Sequence, residues 1–148
     1  MNKTGFNIRV YGLVVNHKNE ILLTDEYRLN QQMTKFPGGG LELGEGTLDC
    51  LRREFMEEMN QPIEIEQHFY TTDFYQKGWF YENMQLISIY YKVKLIEPLM
   101  FKLSEKPFDF NIDSPNPQSF RFVALDQISP NDLTFPIDKV VLRMLKQT

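Results

Sequence analysis

The sequence predicts an α+β fold or a mixed-sheet sandwich. Three observations support this. Strand-like blocks come first, then one amphipathic helix, then further strands and a closing helix. Between Thr47 and Met59 apolar residues recur at helical spacing. The run MQLISIYYKVKL, Met84 to Leu95, has the length and β-rich composition of a long strand. With 148 residues, no internal repeat and no linker, the chain is expected to form one domain over 1–148.

Phe6 to Val15 is β-branched and apolar, which predicts a strand. Asn16 to Glu20 reads as a turn and Ile21 to Thr24 as a buried strand, so the two strands are expected to pair as a hairpin. The polar segment DEYRLNQQMTK reads as a loop, and FPGGG as a break in regular structure. The helix then runs from Thr47, taken as N-cap, to Met59, with Asp49 near the positive end of its dipole. Its core stripe is Leu48, Leu51, Phe55 and Met59, with Cys50 off the stripe. Asn60 suits a left-handed C-cap, and Pro62 prevents continuation. A strand begins at Ile63, and QKGWFYEN forms the turn before the long strand. Ser104 to Gln118 is an acidic loop, Ser119 to Leu125 a strand, and FPIDKVVLRMLKQ the final helix.

Composition narrows the function. A formal charge of −4 argues against a DNA- or RNA-polymer binder, which would carry a basic stripe. A small phosphorylated substrate remains compatible, because a metal ion can supply positive charge locally. Cys50 is the single cysteine, so no internal disulfide forms and a reducing, cytoplasmic setting is expected. No run reaches the ~18 apolar residues of a membrane span, and the opening MNKTGFNIRV lacks a signal peptide's apolar stretch.

The chemistry concentrates in GGGLELGEGTLDCLRREFMEEM, Gly38 to Met59. Glu54, Glu57 and Glu58 stand at i, i+3 and i+4, on one side of the helix next to its apolar stripe. Like charges so spaced cost roughly 0.2–0.5 kcal/mol per pair, which a cation between them would offset. Oxygen ligands alone suit Mg²⁺ or Mn²⁺, and the lack of a neighbouring Cys/His cluster argues against zinc. A glycine turn ahead of such a helix lets backbone approach a phosphate or metal. Together the two suit metal-assisted attack of water on a phosphoric anhydride.

Gly39, Glu45, Arg53-Glu54, Phe55 and Glu57-Glu58 follow the spacing of the Nudix box, and on these residues the chain resembles the Nudix hydrolase family. The match runs from Gly39 to Gln61. Asn60 stands where glycine is usual and Gln61 where an apolar residue is usual, with Ile63 placed to take over that packing contact. The resemblance implies an α/β/α sandwich around a mixed sheet. It also implies Mg²⁺- or Mn²⁺-dependent hydrolysis of a nucleoside diphosphate linked to another moiety. Carried over, Glu54, Glu57 and Glu58 would be metal ligands, with Glu54 also a candidate base. Backbone at Gly38 or Gly39 would line the metal site. Arg53 would orient the acids, Glu45 among them, and Glu42 is a supporting candidate within the loop.

Outside the box, a further acid from the late loop is sought among Glu97, Glu105, Asp109 and Asp113, with Glu105 and Asp113 favoured. Tyr27, Phe74, Tyr75, Trp79, Phe80 and Tyr81 are flat side chains suited to a nucleobase or sugar, and Tyr27 and Trp79 are taken forward. Arg28 and Lys35 are candidates for a terminal phosphate, against an ordinary surface role. His17 and His68 read as bystanders, and Cys50 as packing. The expected substrate is a nucleotide-sugar or ADP-ribose-like compound. The alternatives are a nucleoside triphosphate, oxidised or not, cleaved to monophosphate and pyrophosphate, and a silent nucleotide-binding module. The expected partner is a small nucleotide, with no membrane; a homodimer is an open option.

Overall fold

Alternate residues of the first strand serve two different cores, and the architecture follows from that. In the computed structural model, which describes residues 4–148, strand β1 (Gly5–Leu13) places Val10 in one core and Tyr11 and Leu13 in the other. Strand β2 (Glu20–Arg28) does the same, with Leu22 in the first core and Ile21 and Leu23 in the second. Helix α1 (Thr47–Met59) closes the first core with Cys50, Leu51, Phe55 and Met59. Helix α2 (Pro136–Lys146) closes the second with Ile137, Val141, Leu142 and Leu145. The result is the expected α/β/α sandwich.

The remaining strands are β3 (Gln31–Lys35), β4 (Gly38–Gly40), β5 (Ile63–Thr71), β6 (Met84–Leu95) and β7 (Gln118–Ala124). They form a four-stranded mixed sheet in the order β4-β1-β6-β5 and a three-stranded antiparallel sheet in the order β3-β2-β7. β1 and β6 pair in parallel from Gly5–Met84 to Leu13–Lys92, while β4 and β5 run antiparallel to their neighbours. No helix among the described residues is long and apolar enough to cross a membrane. Met1 to Lys3, the start of the stretch read as lacking a signal sequence, lies outside the described residues.

Several sequence expectations change. The Asn16–Glu20 turn forms, with Asn16 Oδ1 accepting from the amides of Lys18 and Glu20 at 3.0 Å each. The flanking strands meet only around the Val15–Ile21 bridge and then diverge into different sheets. Two apolar faces on each strand demand neighbours that a hairpin would not supply. The polar segment after Thr24 is not a loop. β2 continues to Arg28 and turns at Leu29 and Asn30, with φ of 50° and 61°, into β3. Four of the segment's polar residues, Asp25, Glu26, Thr34 and Lys35, are buried, and each finds a partner. Asp25 accepts from Arg121 Nε at 2.7 Å and from Thr34 Oγ1 at 2.7 Å, and Lys35 meets Glu26 at 3.0 Å. Gly38–Gly40 is an edge strand rather than a break, lying so close on β1 that a Cβ at Gly38 would sit 2.1 Å from Val10 O.

At α1 the cap is Gly46, whose amide donates to Asp49 Oδ2 at 3.3 Å, and Thr47 is the first helical residue. Leu48 is exposed, and Cys50 takes its place in the core. Asn60 closes the helix in the left-handed conformation, φ 52° and ψ 33°. Gln61 is fully buried and bonds backbone on both sides. Its Nε2 donates to Ile96 O at 2.8 Å, and its Oε1 accepts from Met100 N at 2.8 Å. The amide thus ties the helix exit to the 96–100 segment, while Ile63 packs in the first core. Asp138, fully buried in the first turn of α2, accepts from the Tyr90 hydroxyl at 2.5 Å, so one polar contact joins α2 to β6.

Two outcomes follow. Asn60→Ala should destabilise the fold by about 1 kcal/mol and Asn60→Gly should not, because only a Cβ without a local polar group strains this backbone; thermal unfolding measures both. Burial pushes the Asp138 carboxyl up to about 6 from 3.8. The folded state therefore holds that proton more tightly than the unfolded chain. Its contribution is full below the ordinary value and is lost as pH rises through about 6. Asp138→Asn should accordingly be more stable than the wild type at pH 8, by a few kcal/mol at most, with the advantage vanishing near pH 4. Denaturant midpoints across that range check it.

Candidate active site

The Nudix-box residues surround one guanidinium. Arg53 projects from α1 and donates to Glu45 through two parallel bonds, Nε to Oε2 at 3.0 Å and Nη2 to Oε1 at 2.7 Å. Nη2 also donates to Gly40 O at 3.0 Å, and Nη1 donates to Glu54 Oε1 at 3.0 Å and Glu57 Oε2 at 3.1 Å. Glu42 stands 3.6 Å from the same nitrogen, and its backbone amide donates to Glu45 Oε1 at 2.9 Å. This forked geometry is available to arginine and not to lysine. The Arg53 hydrogen bonds hold the Glu45 carboxyl down at about 2, and Glu45 in turn raises the Arg53 value.

The three glutamates of α1 occupy different environments. Glu54 lies under the glycine strand so closely that a Cβ at Gly39 would fall 2.3 Å from its Cδ and would push the carboxylate aside. Gly39, rather than Gly38, is the glycine set against this carboxylate. Burial raises the Glu54 value, with Arg53 working against the shift. Glu57 is exposed. Glu58 points toward β7, where Gln118 Nε2 donates to its Oε1 at 3.3 Å. Burial pushes the Glu58 carboxyl up to about 7, with Lys35 opposing, and its buried Oε2 has no hydrogen-bond partner among the described residues.

Among the described residues no group of three or more His, Cys, Asp or Glu side chains is gathered to hold a metal as it stands. Arg53 occupies one oxygen each of Glu54 and Glu57. The donor set still suits a hard divalent ion: all its ligand atoms are carboxylate oxygens, one is orphaned and buried, and backbone lies close by at Gly39. A cation drawing Glu54 and Glu57 from Arg53 would leave the arginine held by Glu45 and Gly40.

Two cavities lie nearby: one is connected to Glu58 through Glu26 and Gln118, and the other is lined by Glu57 and Glu58. The first, about 180 Å³, lies between the sheets and the start of α2. Trp79, Phe80 and Phe135 line it on one side and Arg9, Glu26 and Lys35 on another. Trp79 Nε1 donates to Gln31 Oε1 at 2.9 Å, and its ring meets Phe135 edge-on at 5.1 Å. Arg28 reaches the same cavity, its guanidinium carbon 5.9 Å from the Phe80 ring centre. Lys35, expected at the surface, is buried; burial lowers its value, and Glu26 and Glu58 outweigh that to leave it raised. Tyr27 lies outside the lining, on the opposite face of β2 from Glu26 and Arg28, with its hydroxyl 3.4 Å from Asn30 Oδ1.

The second cavity, about 400 Å³ and more open, lies at the C-terminal end of α1 and is lined by Glu57, Glu58, Lys102 and Asp109 together with apolar Met56, Met100, Phe101 and Phe120. Asp109 is the loop acid that shares this cavity with the box. Glu105 and Asp113, favoured from sequence, are exposed and line neither cavity. Gln118 divides the two spaces, donating to Glu58 on one side and to Glu26 Oε2 at 3.2 Å on the other. Cys50 is packing, as expected: burial pushes its thiol up to about 12, and its Sγ lies 3.4 Å from Gly40 O. His17 and His68 are exposed and away from both cavities.

Sequence reasoning missed Arg9, Glu26, Gln118 and Asp138 as cavity residues. Arg9 carried a signal, a lone charge inside an apolar strand. Glu26 and Gln118 carried none, because both sit in polar segments read as loop.

Solved structures share this fold. A NUDIX hydrolase from Nitrosomonas europaea superposes with a TM-score of 0.71 at 16% identity, over 98% of this chain and 90% of that one. A UDP-X diphosphatase gives 0.65 at 16% identity, over 99% of this chain and 66% of that one. A structure from work on MutT of Aliivibrio salmonicida and Vibrio cholerae gives 0.59 at 21% identity, over 97% and 99%. No curated protein sequence matches the chain significantly. A family model of the NUDIX domain matches residues 5–144, so the box, the sandwich and the glutamate helix are those of a family member: the chain belongs to the Nudix family of pyrophosphohydrolases.

Proposed function

We propose that the protein hydrolyses the diphosphate bond of a nucleoside diphosphate linked to another moiety, such as a nucleotide-sugar or an ADP-ribose-like compound. The observation that carries this reading is a pair of cavities joined through Glu26, Gln118 and Glu58. One is aromatic and suits a flat base; the other mixes charged side chains with methionine and phenylalanine and suits a second moiety with polar and apolar faces. A diphosphate spanning them would cross Glu54, Glu57 and Glu58. The relatedness in fold to a UDP-X diphosphatase agrees with this substrate class, and the relatedness to MutT keeps a triphosphate as the second outcome to test.

Glu54, Glu57 and Glu58 would hold Mg²⁺ or Mn²⁺, which when bound neutralises the phosphate oxygens and lowers the pKa of attacking water. The chain's own part is positioning. Arg53 and Glu45 fix α1 against the glycine strand, so Glu54 stays beside Gly39. Gln118 and the Glu26–Lys35 pair hold Glu58 from the other side. Glu54, half-buried and with a raised value, is the candidate to take a proton from water. Trp79, Phe80 and Phe135 would shield one face of the organic moiety.

Turnover should vanish with EDTA and return with Mg²⁺ or Mn²⁺. Glu57→Gln, at an exposed site, should leave the melting temperature unchanged and lower kcat at least about a hundredfold. Near-normal Mg²⁺-dependent turnover in that variant would refute the metal assignment. A panel of nucleotide-sugars, ADP-ribose, dinucleoside polyphosphates and nucleoside triphosphates, with products identified by mass, tests the substrate. Exclusive release of pyrophosphate from triphosphates would replace the diphosphate-linked reading. Tight binding of one nucleotide with no cleavage of any would replace the enzyme by a binding module.

A further inference from the structure

The aromatic cavity contains a cation that the Nudix box does not include. Arg9 lies at the centre of β1, between Gly40 on β4 and Ser88 on β6. Its side chain enters the cavity from the same face as Asn7 and Tyr11. Nε donates to the Tyr11 hydroxyl at 2.6 Å, and the guanidinium carbon stands 5.6 Å from the Tyr11 ring centre. Tyr11 is itself buried, so it fixes the near edge of the guanidinium. The outer edge, Nη1 and Nη2, donates to no group among the described residues. Nη1 lies next to the glycine strand, 3.7 Å from where a Cβ of Gly40 would be.

The other cations of this cavity are differently placed. Lys35 is neutralised by Glu26 at 3.0 Å. Arg28 is exposed and lies against Phe80 at the aromatic side. Arg9 is the cation adjoining the glycine strand, its value raised chiefly by Tyr11 and less by Glu54 and Glu26. A half-buried guanidinium with a free two-nitrogen edge, in an aromatic-lined cavity and near the Glu54 carboxylate, matches the geometry of a phosphate's non-bridging oxygens.

We propose that Arg9 binds the phosphate directly attached to the organic moiety in the aromatic cavity, with Nη1 and Nη2 donating to its non-bridging oxygens while Tyr11 holds Nε. The assignment rests on the reading of this cavity as the nucleotide site. Arg9 then sets which substrates are accepted: they must carry an anionic group one bond from the nucleoside. Tyr11 is a positioning residue that acts through Arg9.

The test measures binding without catalysis. Adenosine, guanosine, cytidine and uridine, and their 5′-monophosphates, are titrated calorimetrically into the full chain in EDTA. The wild type should bind its preferred monophosphate at least about tenfold more tightly than the matching nucleoside, a gap that narrows with added salt. In Arg9→Gln the gap should fall below about twofold while nucleoside affinity is retained, a split that a merely structural role would not produce. Arg9→Lys should keep part of the gap, because charge remains and the fork is lost. Tyr11→Phe should reduce it by loosening Arg9, and it carries the test alone if Arg9→Gln fails to melt cooperatively. A gap unchanged in Arg9→Gln, or in Tyr11→Phe when that variant stands alone, overturns the assignment. So does a wild type that binds none of the panel. In either case Mg²⁺-dependent cleavage of the diphosphate panel by the wild type shows separately whether the hydrolase reading stands.

Discussion

The Arg53 guanidinium is the interaction on which the rest of the site depends. Helix α1 carries Glu54, Glu57 and Glu58 on one side, and its neighbouring loop adds Glu42 and Glu45. Without a cation these charges would drive helix and loop apart. Arg53 meets Glu45 by two parallel bonds, touches Glu54 and Glu57, and also reaches Gly40 O on β4. One side chain therefore joins three pieces of chain that would otherwise repel or drift. It also sets the distance at which Gly39 lies on Glu54, a separation with no space for a Cβ.

The second constraint is a polar layer inside the three-stranded sheet. Asp25, Glu26, Thr34 and Lys35 are all buried. Burying charges is unfavourable unless each finds a partner. Here Arg121 and Thr34 satisfy Asp25, and Glu26 and Lys35 satisfy each other. Gln118 then carries the network across to Glu58. The layer thus does more than fill space: it fixes one carboxylate of α1 and leaves its second oxygen unpaired at the cavity wall. An orphaned buried acceptor is an unfavourable feature that a bound cation would relieve.

The cavities extend the same logic to the substrate. Aromatic rings dominate one space, charged and apolar side chains share the other, and the Glu26–Gln118–Glu58 chain lies between them. Aromatic contact, charge neutralisation and mixed polar and apolar contact are thereby arranged in that order along the path a linked diphosphate would take.

Much of this was written locally. The helix from Thr47 to Met59, its left-handed stop at Asn60, the long β6 and the closing helix follow from periodicity and the placement of a few residues, and the structure agrees with each. Such features depend on residues within a few positions of one another, so a single sequence displays them. What failed was nonlocal. Glu26, Thr34 and Lys35 looked like loop because polarity usually means solvent, and their partners are brought to them only by β2, β3 and β7 pairing. Cys50 displaced Leu48 from the core because the direction of the helix stripe is set by the sheet beneath it. Asp109, not Glu105 or Asp113, came to share a cavity with the glutamates because the course of the late loop is decided by its contacts with β7, where Ser119 Oγ accepts from Asp109 N at 3.2 Å. Sequence alone determined that a glycine run and Glu54, Glu57 and Glu58 would stand close together, on one turn and one helix face. Tertiary packing decided what lies beside them, because cavities form from side chains distant along the chain, and no spacing records that.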